Sequence, residues 1–136
     1  MTNIILLSHN LLSKGLKETI KMITGIDNNV YAFSLMPGDH PSKIYDEVTR
    51  ICNQSEYAYI LVDIDGGSVC NAVMPLTQRE NVCLITGMNL PLAIQLLLNT
   101  PKNENELNKI IDESQKGIKR VQIQKIYQDL EDSFYE

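Results

Sequence analysis

The sequence predicts an open α/β fold: a mainly parallel sheet of strand order 2-1-3-4, helices on both faces, and an antiparallel edge strand towards the carboxyl end. Three observations predict it. Residues 4–7 (Ile-Ile-Leu-Leu) and 57–62 (Tyr-Ala-Tyr-Ile-Leu-Val) are apolar without polar alternation, as strands buried on both faces are. Segments of helical period follow each apolar run, and such a β-α-β-α order implies parallel neighbours joined by right-handed crossovers. The first and third runs also stop abruptly, at Ser8-His9-Asn10 and at Asp63-Ile64-Asp65-Gly66-Gly67-Ser68.

Each element follows from its own pattern. Residues 3–8 form the first strand, and a helix over 11–24 places Leu12, Leu16, Ile20 and Ile23 at helical spacing before Gly25. Residues 30–35 are a shorter, more alternating strand suited to an edge, followed by a Pro37-Gly38-Asp39 turn. A second helix opens near Pro41 with Ile44, Tyr45, Val48, Ile51 and Cys52 on one face. The third strand spans 57–62, a third helix 69–76, and the fourth strand 81–86. Asn89 and Pro91 open a fourth helix to residue 98, as cap and first-turn proline do. A fifth helix, 103–116, turns Leu107, Ile110 and Ile111 inward. Residues 119–125 alternate Val121 and Ile123 with Gln122 and Gln124, the pattern of a half-exposed edge strand, and 126–136 are an amphipathic acidic helix.

The 136 residues are expected to be one domain, residues 1–136. A net charge of −5 argues against nucleic acid and against anionic membrane, both of which need clustered Lys and Arg. Cys52, Cys70 and Cys83 show no Cys-x-x-Cys spacing and read as small apolar residues in a reducing compartment. No basic segment precedes the first apolar run, and no run approaches the roughly 20 residues of a membrane helix. The expectation is a cytoplasmic protein with no direct membrane insertion.

In a sheet of order 2-1-3-4 the chain direction reverses between strands one and three, opening a crevice at their carboxyl ends. His9 and Asp63 end those strands. A carboxylate on one ring nitrogen would fix the tautomer, leave the other nitrogen free, and stabilise the ring as it gains charge. Gly66, Gly67 and Ser68 offer N–H groups and a hydroxyl at a helix start, which suits anions and phosphate in particular. The start of the first helix, after Asn10, adds a second positive dipole end. His9 therefore reads as a nucleophile that carries a phosphoryl group. The competing reading is a flavodoxin-like module whose polar loops only keep it soluble; scarce loop aromatics make flavin stacking unattractive. His40 reads as a turn residue, and no four-ligand metal spacing is present.

Four blocks then carry a resemblance: Ile4-Ile5-Leu6-Leu7-Ser8-His9, Leu35-Met36-Pro37-Gly38-Asp39, Leu61-Val62-Asp63-Ile64-Asp65-Gly66-Gly67-Ser68 and Thr86-Gly87-Met88-Asn89-Leu90-Pro91. Together they resemble the enzyme IIA (EIIA) component of the mannose-type bacterial sugar phosphotransferase system (PTS), over nearly the whole chain to about residue 130. The resemblance implies a phosphotransferase with a phosphohistidine intermediate. His9 would accept a phosphoryl group from the phosphocarrier HPr and pass it to a IIB component, with the IIC/IID permease downstream. It implies Asp63 as the group that orients His9 and Ser68 as a phosphoryl contact. Asn10, Gly66 and Gly67 would supply phosphate-binding backbone, and Met36, Pro37, Asp65 and Asn89 a partner-facing rim. No cofactor and no metal is implied. The family forms homodimers that exchange a carboxyl-terminal strand, here about residues 119–125.

This chain departs from the family's usual Ser-His-Gly, Asp-Leu-Phe-Gly-Gly-Ser-Pro and Gly-Val-Asn-Leu-Pro at Asn10, Asp65, Val69 and Met88. Asn10 tolerates the turn that glycine makes. Asp65 instead puts a carboxylate beside the phosphoryl site, either as repulsion or as a selector of partners. Two alternatives stand beside the sugar system: a phosphotransfer subunit feeding dihydroxyacetone kinase, and a receiver-like switch phosphorylated on aspartate. A receiver needs an acidic pair after its first strand, where this chain has Ser8-His9.

Overall fold

A computed structural model describes residues 1–123 of the chain. Four strands, β1 (Thr2–His9), β2 (Val30–Leu35), β3 (Tyr57–Val62) and β4 (Val82–Thr86), form one sheet of order β2-β1-β3-β4 with every pairing parallel. The helices are α1 (Leu12–Thr24), α2 (Pro41–Gln54), α3 (Ser68–Val73), α4 (Leu90–Leu98) and α5 (Glu104–Gln115).

β1 is central and buried on both faces, which is why its sequence lacks polar alternation. Ile5 and Leu7 join one cluster with Ile44, Val48 and Val73 from α2 and α3. Ile4 and Leu6 point the other way, against Ile20 of α1 and Leu92, Ala93 and Leu96 of α4. Each fully buried aliphatic stabilises the fold by roughly 1.5–3 kcal/mol relative to exposure. The chain leaves β1 for β2 in one direction and returns past it to β3 in the other. Equal handedness of the two crossovers puts α1 and α2 on opposite faces, and the reversal leaves a crevice at the carboxyl ends of β1 and β3.

The structure departs from the sequence reading in four places. α3 is shorter than expected: Pro75 has no N–H to continue it, and Met74–Gln78 tightens into a 3-10 segment. The inward face of α1 carries Ser13, Leu16 and Ile20, whereas Leu12 and Ile23 face water. Ser13 takes the buried position because its hydroxyl donates to the Phe33 carbonyl at 2.8 Å. β4 begins at Val82, one residue late. Of the expected edge strand, residues 119–122 are irregular and Ile123 is helical, and none of them pairs with a strand among the described residues; residues 124–125 and the terminal helix lie outside those residues. None of the helices described is long and apolar enough to cross a membrane.

Candidate functional site

The crevice brings together three side chains from two distant segments. Asp63 follows β3 directly, and its N–H donates to the Leu7 carbonyl of β1 at 3.2 Å, so its carboxylate sits level with the end of β1. Asp63 Oδ2 accepts the backbone N–H of His9 at 2.8 Å and lies 2.9 Å from His9 Nδ1. Oδ1 accepts the Ile64 N–H at 3.0 Å. Three donors thus hold one carboxylate that is only 12% exposed, beside an imidazole 45% exposed. An ionised carboxylate can only accept, so Nδ1 carries a proton, and in the neutral ring Nε2 keeps its lone pair. Ser68 Oγ lies 3.2 Å from Nε2 and donates to it when the ring is neutral. One ring nitrogen is anchored and the other faces the opening.

The backbone around the ring is equally constrained. Asn10 has φ +54°, a left-handed conformation, with its Oδ1 accepting the Leu11 N–H at 2.9 Å. Its own N–H donates to the Leu35 carbonyl at 2.9 Å, tying the turn to β2. The buried Ser8 hydroxyl accepts the Ser13 N–H at 2.7 Å and donates to the Asn10 carbonyl at 3.1 Å. Two N–H groups at the start of α1 therefore already have side-chain partners, which removes them from the expected anion contact. Gly67 backs onto the ring: a methyl added there would stand 3.2 Å from His9 Cε1 and 3.1 Å from Ile64 Cγ2. Gly66 turns the loop with φ +74°.

Met36, Pro37, Gly38 and Asp39 border a hollow of about 330 Å³ together with His9, Asn10 and Leu35. Asp39 holds that loop by accepting the Met36 N–H at 3.0 Å. Asp65 is exposed on the loop between Asp63 and Ser68. Asn89 follows β4 at the same end of the sheet. Its Oδ1 caps α4 at the Leu92 N–H, 2.9 Å away, and it borders a separate hollow with Ile85, Ile111 and Ile118. His40 caps α2 through the Ser42 N–H at 3.1 Å. Burial pushes the Cys52 and Cys83 thiols up from their ordinary value, against thiolate reactivity. Among the described residues no group of three or more His, Cys, Asp or Glu could hold a metal ion. Sequence reasoning missed the Ser8–Ser13 bond and the role of Gly67. Two serines amid aliphatics were the only signal for the first; the second depends on how the loop crosses the ring.

Fold and site together define a small α/β protein built around an anchored strand-end histidine. The chain belongs to the EIIA-man family, the PTS system fructose IIA component, which matches over residues 3–115. Over 101 residues it is 27% identical to the PTS system fructose-specific EIIA component of Bacillus subtilis (strain 168), covering 71% of this chain and 69% of that protein. Two solved structures share the fold. The phosphotransferase system component EIIA of Streptococcus agalactiae has a TM-score of 0.79 at 21% identity, covering 88% of this chain and 97% of that one. The PTS IIA protein associated with the fucose utilization operon of Streptococcus pneumoniae has a TM-score of 0.78 at 24% identity, covering 95% and 96%. The chain is thus a PTS EIIA component of the mannose/fructose family, with the phosphotransferase role this implies.

Proposed function

We propose that this protein is a cytoplasmic phosphocarrier in which His9 Nε2 accepts a phosphoryl group from phospho-HPr and hands it to a IIB component, with the IIC/IID permease downstream. The observation that carries this is the 2.9 Å contact between Nδ1 and Asp63 Oδ2, which leaves Nε2 as the free nucleophile. The Nε2 lone pair forms the new N–P bond as the N–P bond of the donor's phosphohistidine breaks, and the donor's ring nitrogen keeps that electron pair. Asp63 holds the Nδ1 proton throughout and offsets the positive charge the ring acquires. The Ser68 hydroxyl turns from Nε2 to a phosphoryl oxygen. The Gly66 and Gly67 backbone binds the phosphoryl group, whereas the expected Asn10 N–H is spent on the Leu35 carbonyl; Met36, Pro37, Asp65 and Asn89 form the partner-facing rim. The donor is already an activated phosphoramidate, so positioning and charge stabilisation suffice, without metal or cofactor.

Residues 1–136 act as one mannose-type EIIA domain in this reading. Two copies pair by exchanging the segment around 119–125 onto an exposed sheet edge, which supplies the strand partner that residues 119–122 lack among the described residues.

Labelling with enzyme I, HPr and radioactive phosphoenolpyruvate tests the route. The expected label is lost in acid, survives alkali, and is absent from His9→Ala. Normal labelling of His9→Ala, or an alkali-labile label, overturns the assignment.

A further inference from the structure

Four side chains near His9 do nothing to hold its ring. Leu11 and Leu12, just past β1, are 56% and 58% exposed, and Ile64, next to Asp63, is 58% exposed. Asp65 follows Ile64, is exposed, and among the described residues takes part in no ion pair. The loop carrying it is fixed at both ends, by Asp63 on Nδ1 and Ser68 near Nε2, so Asp65 stands at the mouth of the site. Exposed aliphatics gathered at a reactive group mark an interaction surface. Among the described residues that carboxylate makes no ion pair, and it repels an incoming phosphoryl dianion. That repulsion is offset only if the molecule bringing the phosphate also brings a cation.

We propose that Leu11, Leu12, Ile64 and Asp65 form the docking surface for the phosphoryl donor, and that Asp65 is its specificity determinant. The donor fitted by this surface is a phosphohistidine protein with an apolar patch edged by a lysine or arginine that pairs with Asp65. The inference rests on His9 being the phosphoryl acceptor. The donor is favoured over the acceptor because only the donor arrives carrying negative phosphate past Asp65.

Transfer from phospho-HPr is measured against ionic strength for the wild type and Asp65→Asn, beside labelling by phosphoramidate, a donor with no docking surface. Asp65→Asn is expected to slow carrier transfer about three- to ten-fold at low salt and to flatten its salt dependence. Phosphoramidate labelling should be equal or faster in the variant, since a repelling charge is gone. Unchanged or faster carrier transfer overturns the proposal. So does a parallel loss with phosphoramidate, which would place Asp65 inside the pocket, or a loss confined to the IIB step. If neither donor labels wild-type His9, the phosphocarrier reading itself falls; labelling that ignores Asp65 removes only this inference.

Discussion

The two poles of the sheet carry hollows of almost equal size and opposite character. At the carboxyl ends, about 330 Å³ opens beside His9; at the amino ends, about 310 Å³ opens between Thr2, Tyr57, Tyr59 and the start of α5. The amino pole has the larger aromatic surface, with the Tyr57 and Tyr59 rings 5.0 Å apart and tilted by 54°. The N-terminal ammonium pairs with Glu56 at 3.3 Å beside it, and no imidazole is among the described residues that line the hollow. The carboxyl pole has an imidazole fixed at 2.9 Å by a carboxylate that takes two further N–H bonds. Volume therefore does not distinguish the two ends; an imidazole anchored by a carboxylate does.

The sharpest way to break the comparison is to remove that fixation and leave the hollow intact. Asp63→Asn presents an amide that can also donate to Nδ1, so the proton can move to Nε2 and block the nucleophile. Transfer from phospho-HPr should fall about 10²- to 10⁴-fold, the scale expected when a buried aspartate no longer sets a histidine tautomer. Circular dichroism should stay native, because the sheet and both apolar clusters are untouched. A transfer rate within two-fold of wild type (about the precision of such assays, well under the 1.4 kcal/mol of a tenfold change) would make the two poles equivalent.

A smaller effect is expected from crowding the ring without changing any polar group. Gly67 has φ −76°, so its backbone accepts a side chain without strain. The obstacle is space: the new methyl would lie 3.2 Å from His9 Cε1 and 3.1 Å from Ile64 Cγ2. Overpacking of this kind costs about 1–3 kcal/mol. Ile64 is exposed and relieves its own contact by turning outward, which leaves the contact with the imidazole as the one that moves Nε2. Gly67→Ala should lower transfer about ten- to a hundred-fold through misplacement of Nε2, with only a modest drop in melting temperature. An equal loss of stability and rate would mean that the loop, not the ring, absorbs the clash.

How far the sequence foretold this contrast differs by level. β2 and β3 fall on the residues that their patterns mark, alternation in β2 and an unbroken apolar run in β3, each ending cleanly at turn residues. The meeting of His9 with Asp63 was legible because both end neighbouring strands, so topology alone brings them together. α1 was less legible. Its period is real, but the buried line passes through Ser13, which the Phe33 carbonyl satisfies, and hydrophobicity gives no sign of that bond. The Asn89 cap was legible from Asn-Leu-Pro before an apolar helix, and its side chain does hold the start of α4. Contacts set by loop shape, such as Gly67 against the ring, follow from angles that no periodicity encodes.

The smallest effect belongs to the amino pole and reads as stability, not as transfer. Burial, with Tyr57 and then Cys83 adding to it, pushes the Tyr59 phenol up from its ordinary value of 10.0 to about 12. Between those values the folded chain keeps a proton that the unfolded chain has released. Stability from this group is therefore complete below pH 10 and is lost as the pH rises towards about 12. The wild-type melting temperature should fall more steeply over that interval than that of Tyr59→Phe, which has no proton to lose. Transfer at neutral pH should be the same in both. Parallel melting curves would show the Tyr59 hydroxyl to be as free to ionise as one in water, and a slower Tyr59→Phe would tie the amino pole to the chemistry at the other end of the sheet.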